Sequence, residues 1–208
     1  AGAQSHLARV ARFLEENEAP ELRARFATLI PEDEGVVHAL RAAEAKPTPL
    51  TLWQAGRMNR SDEQALKYLH ASIMAAEAEG DWYGVARAAE SLAARYLCIG
   101  DYPAGYAWSS RGLEVFEQQG LLDGFRRLRL LHSHAAARIA LGDTAGVEEE
   151  LLRVIDLLGD EMAHHAHDLR GCLRDVYLLD GKPEAALEQI RLFYEAAPRK
   201  SISARIVP

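Results

Sequence analysis

Apolar residues recur every three or four positions along most of the chain, which is the spacing of one buried face of an α-helix. Leu66, Leu69 and Ile73 show this pattern where the sequence becomes most regular. Alternation of apolar and polar residues, which would indicate a β-strand, is confined to residues 201–207 near the end of the chain. The pattern therefore predicts an all-α protein.

Glycines divide the second part of the chain into helical segments. After a helix ending at Glu79, further helices are predicted at about 82–99, 102–119, 121–141, 144–158, 160–179 and 183–197. The glycines that separate them are Gly80, Gly100, Gly120, Gly142, Gly159 and Gly181. We expect each glycine to take the left-handed conformation that ends a helix, and the aspartate that often follows to cap the next helix. Such short linkers force neighbouring helices to pack antiparallel.

Residues 1–58 are also predicted to be helical, but prolines break them into shorter segments. The expected helices lie at about 4–17, 20–29 and 33–46, with another from residue 49. Thr48 would cap the last of these, and Ser61 with Gln64 would form a capping box at the start of the next helix. Since residues 1–58 match no repeat clearly, they form either a helical cap or divergent repeats.

The helical pattern repeats with a period of about forty residues, which is the length of two helices. When Arg60–Val85 is shifted by forty, it falls on Gly100–Phe125, and the small residues Ala65 and Gly105 coincide. Small residues at matching positions suit places where two helices cross closely. The structural unit is therefore a helix pair, and the turn at Gly80 joins one unit to the next.

The repeat resembles the tetratricopeptide-repeat family, whose signature is W-x2-L-G-x2-Y, then A-x3-F, then P. An early unit fits the first part with Leu92 and Tyr96, while Ala89 and Ala93 replace the tryptophan and the glycine. The last unit fits with Leu173, Tyr177, Gly181, Ala186, Ile190 and Pro198. The middle unit departs from the signature, because His134 and Arg138 replace the leucine and the tyrosine. The resemblance covers about residues 60–198.

The long period is similar to a variant of the family in large bacterial regulators, including maltose-activator-like and antibiotic-regulator-like transcription factors and some signalling enzymes. Their turns read Gly-Asp-x-x-Gly between units and Gly-Asp-Tyr within them. Here Gly80–Gly84 and Gly100–Tyr102 match these turns. The resemblance implies a right-handed α-α superhelix, a solenoid of stacked antiparallel helix pairs, over residues 59–198, followed by a tail at 199–208.

The same resemblance implies a binding surface. In this family the first helix of each pair lines a concave groove, where polar side chains bind an extended peptide or a helix of a partner protein. The corresponding positions here hold Arg87 and Glu90, then Arg129 and His132, then Asp168 and Gly171. The candidate contact residues are therefore Arg87, Glu90, Arg129, His132 and Asp168.

The net charge and the composition exclude some classes of binding partner. The net charge of −7 argues against a general binder of nucleic acid or of acidic membranes, and no apolar run reaches the length of a membrane span. Arg126, Arg127 and Arg129 form a small basic patch, which is either a solvated face or a contact for an anionic partner. Cys98 and Cys172 are expected to be reduced core residues of a cytoplasmic protein.

Motifs for catalysis are absent from the sequence. It has no phosphate-binding loop, dinucleotide fingerprint, zinc-protease motif or nucleophile elbow, so we expect neither an enzyme nor a bound cofactor. The remaining candidate is a cluster of His164, His165, His167 and Asp168, to which His132 or His134 could add a metal ligand. The simpler interpretation is a polar helix start with acids in its first turn.

Taken together, these observations predict a non-enzymatic protein-interaction scaffold or sensor module within a larger bacterial regulator of the transcriptional-regulator type. The first alternative is a stand-alone cytosolic adaptor of the same fold, with self-association into a homodimer through an uncapped repeat face. A metal-dependent enzyme using the histidine cluster is the remote alternative. Because the sequence begins with Ala1-Gly2, we expect it to be part of a longer protein.

Overall fold

The described part of the chain is almost entirely helical. A computed structural model describes residues 19–29, 32–158 and 166–196, together with Val10 and Phe13, and contains no strand in these ranges. Within the three described ranges, ten α-helices follow one another: α1 Pro20–Phe26, α2 Glu32–Ala45, α3 Pro49–Met58, α4 Asp62–Glu79, α5 Trp82–Cys98, α6 Tyr102–Gln119, α7 Gly124–Ala140, α8 Val147–Leu158, α9 His167–Leu179 and α10 Pro183–Ala196. The predicted all-α class is confirmed for these residues. The helix expected at 4–17 and the tail at 199–208 lie outside the helices described.

Consecutive helices pack side by side as neighbouring pairs. The most extensive packing joins α5 with α6, α3 with α4, α9 with α10, and α6 with α7. In addition, α5 packs against both α3 and α7, and α7 packs against α9. We call α3, α5, α7 and α9 the odd-numbered row, because these alternate helices touch one another along one side of the molecule.

Among the described residues, the apolar interior is divided into several clusters. One cluster around Leu92 joins α3, α4 and α5, and a second around Leu130 joins α4, α5, α6 and α7. The largest cluster, around Leu173, joins α7, α8, α9 and α10. Each helix therefore buries its apolar face only against its neighbours, as in repeat proteins.

Glycine and aspartate form the helix ends as predicted. Gly80 and Gly100 have φ angles of +68° and +82°, in the left-handed region that favours glycine. Asp101 Oδ1 then accepts a hydrogen bond from the backbone N–H of Ala104 at 3.1 Å and caps α6. The same left-handed conformation occurs at Gly120, Gly142 and Gly181. Gly159 lies outside the described residues.

Two predicted helix starts are wrong by about three residues. The helix expected from residue 121 begins at Gly124, because the N–H of Arg126 is capped by Asp123. The helix expected from residue 144 begins at Val147. Asp143 does not cap it, since its carboxylate accepts a hydrogen bond from Arg138 Nε at 2.9 Å. An ion pair with the preceding helix thus replaces the expected cap.

The capping box predicted at Ser61 forms only in part. Ser61 Oγ accepts a hydrogen bond from the N–H of Gln64 at 3.4 Å, but its own N–H donates to Asn59 Oδ1 at 3.0 Å. A complete box occurs one helix earlier, where Thr48 and Thr51 exchange hydrogen bonds at the start of α3. The sequence pattern predicts the capping role of Thr48 but not that of Thr51.

The two cysteines differ in their surroundings. Cys172 is buried, as expected for a core residue, whereas Cys98 is exposed in the last turn of α5. The prediction that both are core residues is therefore wrong for Cys98. None of the helices that the structure describes is long and apolar enough to cross a membrane.

Candidate functional site

The predicted contact residues lie on consecutive helices of the odd-numbered row. Arg87 and Glu90 are on α5, Arg129 and His132 on α7, and Asp168 on α9. Glu90 and Arg129 form an ion pair at 2.6 Å, which joins α5 to α7. Further along the row, the side chains on α7 and α9 meet around a cavity of about 150 Å³. The structure therefore brings these residues together on one side of the molecule, in two adjoining groups.

The first group surrounds a cavity of about 370 Å³ between α3, α5 and α7. We call it the arginine pocket. Its lining includes Trp53, Arg57, Glu90, Phe125, Arg126 and Arg129. The pocket therefore combines several guanidinium groups, one carboxylate and two aromatic rings.

Glu90 is the central acceptor of the arginine pocket. Its side chain is only 8% exposed, and each carboxylate oxygen accepts one short hydrogen bond. Arg126 Nη1 donates to Oε2 at 2.6 Å, and Arg129 Nε donates to Oε1 at 2.6 Å. The two arginines are three residues apart and so share one face of α7. A buried carboxylate needs such charged donors, because an unpaired charge in this position would be strongly destabilising.

Trp53 provides an aromatic surface that three arginines share. Its ring is largely buried, and Nε1 donates a hydrogen bond to Ser91 Oγ at 2.9 Å, which orients the ring. The guanidinium carbons of Arg87, Arg57 and Arg126 lie 4.7, 5.3 and 5.9 Å from the ring centroid. Attraction between a cation and the face of a ring is strongest for tryptophan. These contacts gather positive charge from three helices around one side chain.

Arg87 is half-buried at the edge of this group. Burial lowers the pKa of its guanidinium, Asp81 opposes this effect, and the nearby positive charge of Arg126 adds to it. The Nε atom of Arg87 is buried and has no hydrogen-bond partner among the described residues. Arginine stays protonated at neutral pH because its ordinary pKa is so high. Arg87 is therefore a half-buried positive charge that lies next to the pocket lining and contacts the ring of Trp53.

The second group lies around a cavity of about 580 Å³ formed mainly by α7 and α9, which we call the C-terminal pocket. His132, Asp168, Cys172 and Phe193 are part of its lining. Burial lowers the pKa of His132; the carboxylate of Asp168 opposes this shift, and Arg129 adds to it. Burial also raises the pKa of Cys172 to about 12. At neutral pH both groups are uncharged, and the thiol is not activated as a nucleophile.

The histidine cluster falls largely outside the described residues, because the structure describes neither His164 nor His165. His167 stacks on Phe193 with ring centroids 3.3 Å apart. In the part of the chain that is described, no group of three or more histidine, cysteine, aspartate or glutamate side chains is placed to hold a metal ion. The described contacts of His167 are thus those of packing.

Several residues of the arginine pocket were not in the predicted contact set. Arg126 was identified only as part of a basic patch, although its spacing from Arg129 shows that the two share a helix face. No sequence pattern indicated Trp53 and Arg57 as site residues, because they belong to a segment that matches no repeat. Only the packing of α3 against α5 brings them to this site.

The sequence matches no protein-family model, and no curated protein resembles it significantly. The resemblance to tetratricopeptide repeats therefore rests on the residues and spacing described above, and the function has to be inferred from the site itself.

Proposed function

We propose that the chain is a non-enzymatic protein-interaction module whose odd-numbered row binds an extended peptide segment of a partner protein. The observation that carries this proposal is the arginine pocket, where side chains from three helices surround an open cavity with hydrogen-bond donors to spare. A peptide offers what this surface can bind, namely backbone carbonyl groups for the arginines and side chains for the aromatic rings.

The proposal includes a right-handed superhelical stack of tetratricopeptide type, with the odd-numbered row on its concave side. Packing between alternate helices supports it: α5 packs closely against α7, and α7 against α9. Contacts among the described even-numbered helices are much smaller. A stack whose helices lie closer together in one row curves toward that row, which gives repeat proteins their concave binding surface.

We further propose that this module is the scaffold or sensor part of a larger cytoplasmic regulator of bacterial type. The long repeat period and the Gly-Asp turns support this context. A stand-alone adaptor, monomeric or dimeric, is the alternative. The sequence of the natural protein around this segment distinguishes the two, because an adjoining ATPase, DNA-binding or cyclase domain is expected only for the regulator.

Peptide binding can be tested by photocrosslinking with a pool of random twelve-residue peptides. A benzoyl-phenylalanine photocrosslinker replaces Phe125, which lines the arginine pocket and is 54% exposed. The matched control carries the same group in place of Met74, which is 71% exposed on α4. We expect peptide adducts at position 125 and few at position 74. Equal labelling at both positions, or no adduct at either, would contradict the proposal.

A further inference from the structure

We propose that the arginine pocket selects peptide segments rich in aspartate and glutamate, whose carboxylates bind its arginines. This inference rests on the proposed function and adds to it the chemistry of the partner. It follows from the local charge, the hydrogen-bonding groups that remain unused, and the shape of the pocket.

The local charge is opposite in sign to that of the whole chain. Glu90 is the one carboxylate in the lining of the arginine pocket, and it is shared between Arg126 and Arg129. Outside the lining, Asp123 pairs with Arg126 at 3.5 Å and Asp62 pairs with Arg95 at 2.8 Å, so the four arginines of the lining exceed these carboxylates by one. Arg57 and Arg87 form no ion pair with any described residue and contact aromatic rings instead. The cluster thus keeps an excess of positive charge in a protein whose net charge is −7. Such a concave positive surface attracts anionic ligands.

The arginines also have donors available for carboxylates. Arg129 uses Nε for its described hydrogen bond to Glu90, which leaves both Nη groups for a ligand, and its side chain is 48% exposed. The guanidinium of Arg57 lies over the ring of Trp53 at an exposed position and forms no ion pair with a described residue, so a carboxylate can accept two of its N–H groups.

Glu90 and Trp53 hold these donors in place before a ligand arrives. Glu90 orients Arg126 and Arg129 through hydrogen bonds, and the ring of Trp53 restricts Arg57 and Arg87. Ordering a free arginine side chain on binding costs conformational entropy, and arginines that are already ordered avoid most of this cost. The pocket is therefore prepared for an anion.

The shape favours an acidic peptide over a nucleic acid. The cavity of about 370 Å³ has room for one or two side chains, and Trp53, Leu69 and Phe125 add apolar surface to it. A nucleic acid requires basic residues along a continuous stripe. The neighbouring C-terminal pocket, with a neutral His132 and with Asp168, does not extend the positive surface.

The test compares the composition of bound peptides between variants of the full chain. An array of random eight-residue peptides is probed with the wild type, with the double variant Arg57→Gln/Arg129→Gln, whose two arginines line the pocket, and with the control Arg127→Gln/Arg153→Gln. The control removes the same charge from exposed positions outside the pocket lining. Circular dichroism melting verifies the fold, and the single variant Arg57→Gln at an exposed position serves if the double variant is unfolded.

We expect aspartate and glutamate to be enriched several-fold among peptides bound by the wild type and by the control. Affinity for these peptides should fall at least tenfold in the pocket variant and should weaken as salt is raised from 50 to 300 mM. Pocket-dependent binding of peptides without acidic enrichment would overturn this inference and leave the proposed function intact. Absence of any bound peptide would overturn both. Stronger binding of a twenty-nucleotide single strand through the same arginines would overturn the peptide as ligand.

Discussion

The arginine pocket and the C-terminal pocket lie on the same row of helices, yet their chemistry differs. The first contains a buried carboxylate, Glu90, that organises guanidinium groups from α7. In the second, burial keeps His132 and Cys172 uncharged. Helices of one row therefore present side chains along one surface, but each position has its own chemistry. A resemblance at the level of the repeat can indicate the surface without indicating what it binds.

Packing also differs between the two regions. At Gly56, on α3, an added Cβ would lie 2.6 Å from Leu69 Cγ and 2.9 Å from the backbone oxygen of Ala65. At Gly171, on α9, no atom other than its chain neighbours and the adjacent backbone of α9 would lie within 4 Å of an added Cβ. The helices are thus closely packed next to the arginine pocket and leave free space at the C-terminal pocket.

The two cysteines offer the most sensitive comparison of the pockets, since Cys98 lines the arginine pocket and Cys172 lines the C-terminal one. The pKa of Cys172 is raised by burial from 9.0 to about 12, so its thiolate fraction is about 1000-fold below that of an unshifted thiol. Mass spectrometry after maleimide labelling at pH 7.5 should show one adduct on the native protein and two after denaturation. With Cys98→Ser the native protein should remain unlabelled. Rapid labelling of Cys172 would contradict its burial.

Among the predictions on stability, the largest effect is expected from removing the carboxylate of Glu90. Glu90→Gln leaves Arg126 and Arg129 close together without a counter-charge, and we expect the free energy of unfolding to fall by about 2–3 kcal/mol. This is below the range for fully buried pairs because Arg129 is half exposed and partly screened. The matched change Asp168→Asn, at an exposed position, should stay within about 0.5 kcal/mol. Urea denaturation measures both, and equal effects would remove the distinction between the pockets.

The difference in packing predicts that alanine at the two glycine positions changes the stability of the protein in opposite directions. Gly56→Ala should destabilise the protein by about 2 kcal/mol, because a backbone oxygen and a buried leucine would have to move. Gly171→Ala should stabilise it by about 0.5–1 kcal/mol, since alanine favours the helix and meets no atom. Thermal melting of both variants measures these changes in stability. A stabilised Gly56→Ala would show that α3 and α4 pack less closely than described.

The smallest expected effect is a pH dependence from the C-terminal pocket. Burial lowers the pKa of His132 below its ordinary value of 6.5, so between these two values the unfolded chain binds a proton that the folded chain does not. Burial of neutral His132 therefore costs no stability above pH 6.5, and the free energy of unfolding declines as the pH falls from 6.5 toward the pKa of His132 in the folded protein. His132→Gln should reduce the slope of stability between pH 7.5 and 5.5, whereas Arg57→Gln should leave it unchanged. An unaltered slope in His132→Gln would show that this histidine is not buried in its neutral form.

The helix ends show how far local sequence reasoning reaches. Gly100-Asp101 was assigned correctly, since a left-handed glycine and a capping carboxylate depend only on nearby backbone atoms. Asp143 has the same sequence context but pairs with Arg138, a choice that depends on the geometry of the preceding helix.

For the part of the chain that the structure describes, the sequence by itself determined the helical class and most helix ends to within about three residues, because periodicity and capping are local properties. Only the tertiary structure decided that Trp53 from α3 and Arg126 from α7 meet at one pocket, and that Cys98 is exposed there. Contacts of this kind join residues more than seventy positions apart. They depend on how the helices cross, which is determined by the packing of all side chains between them and not by any one segment.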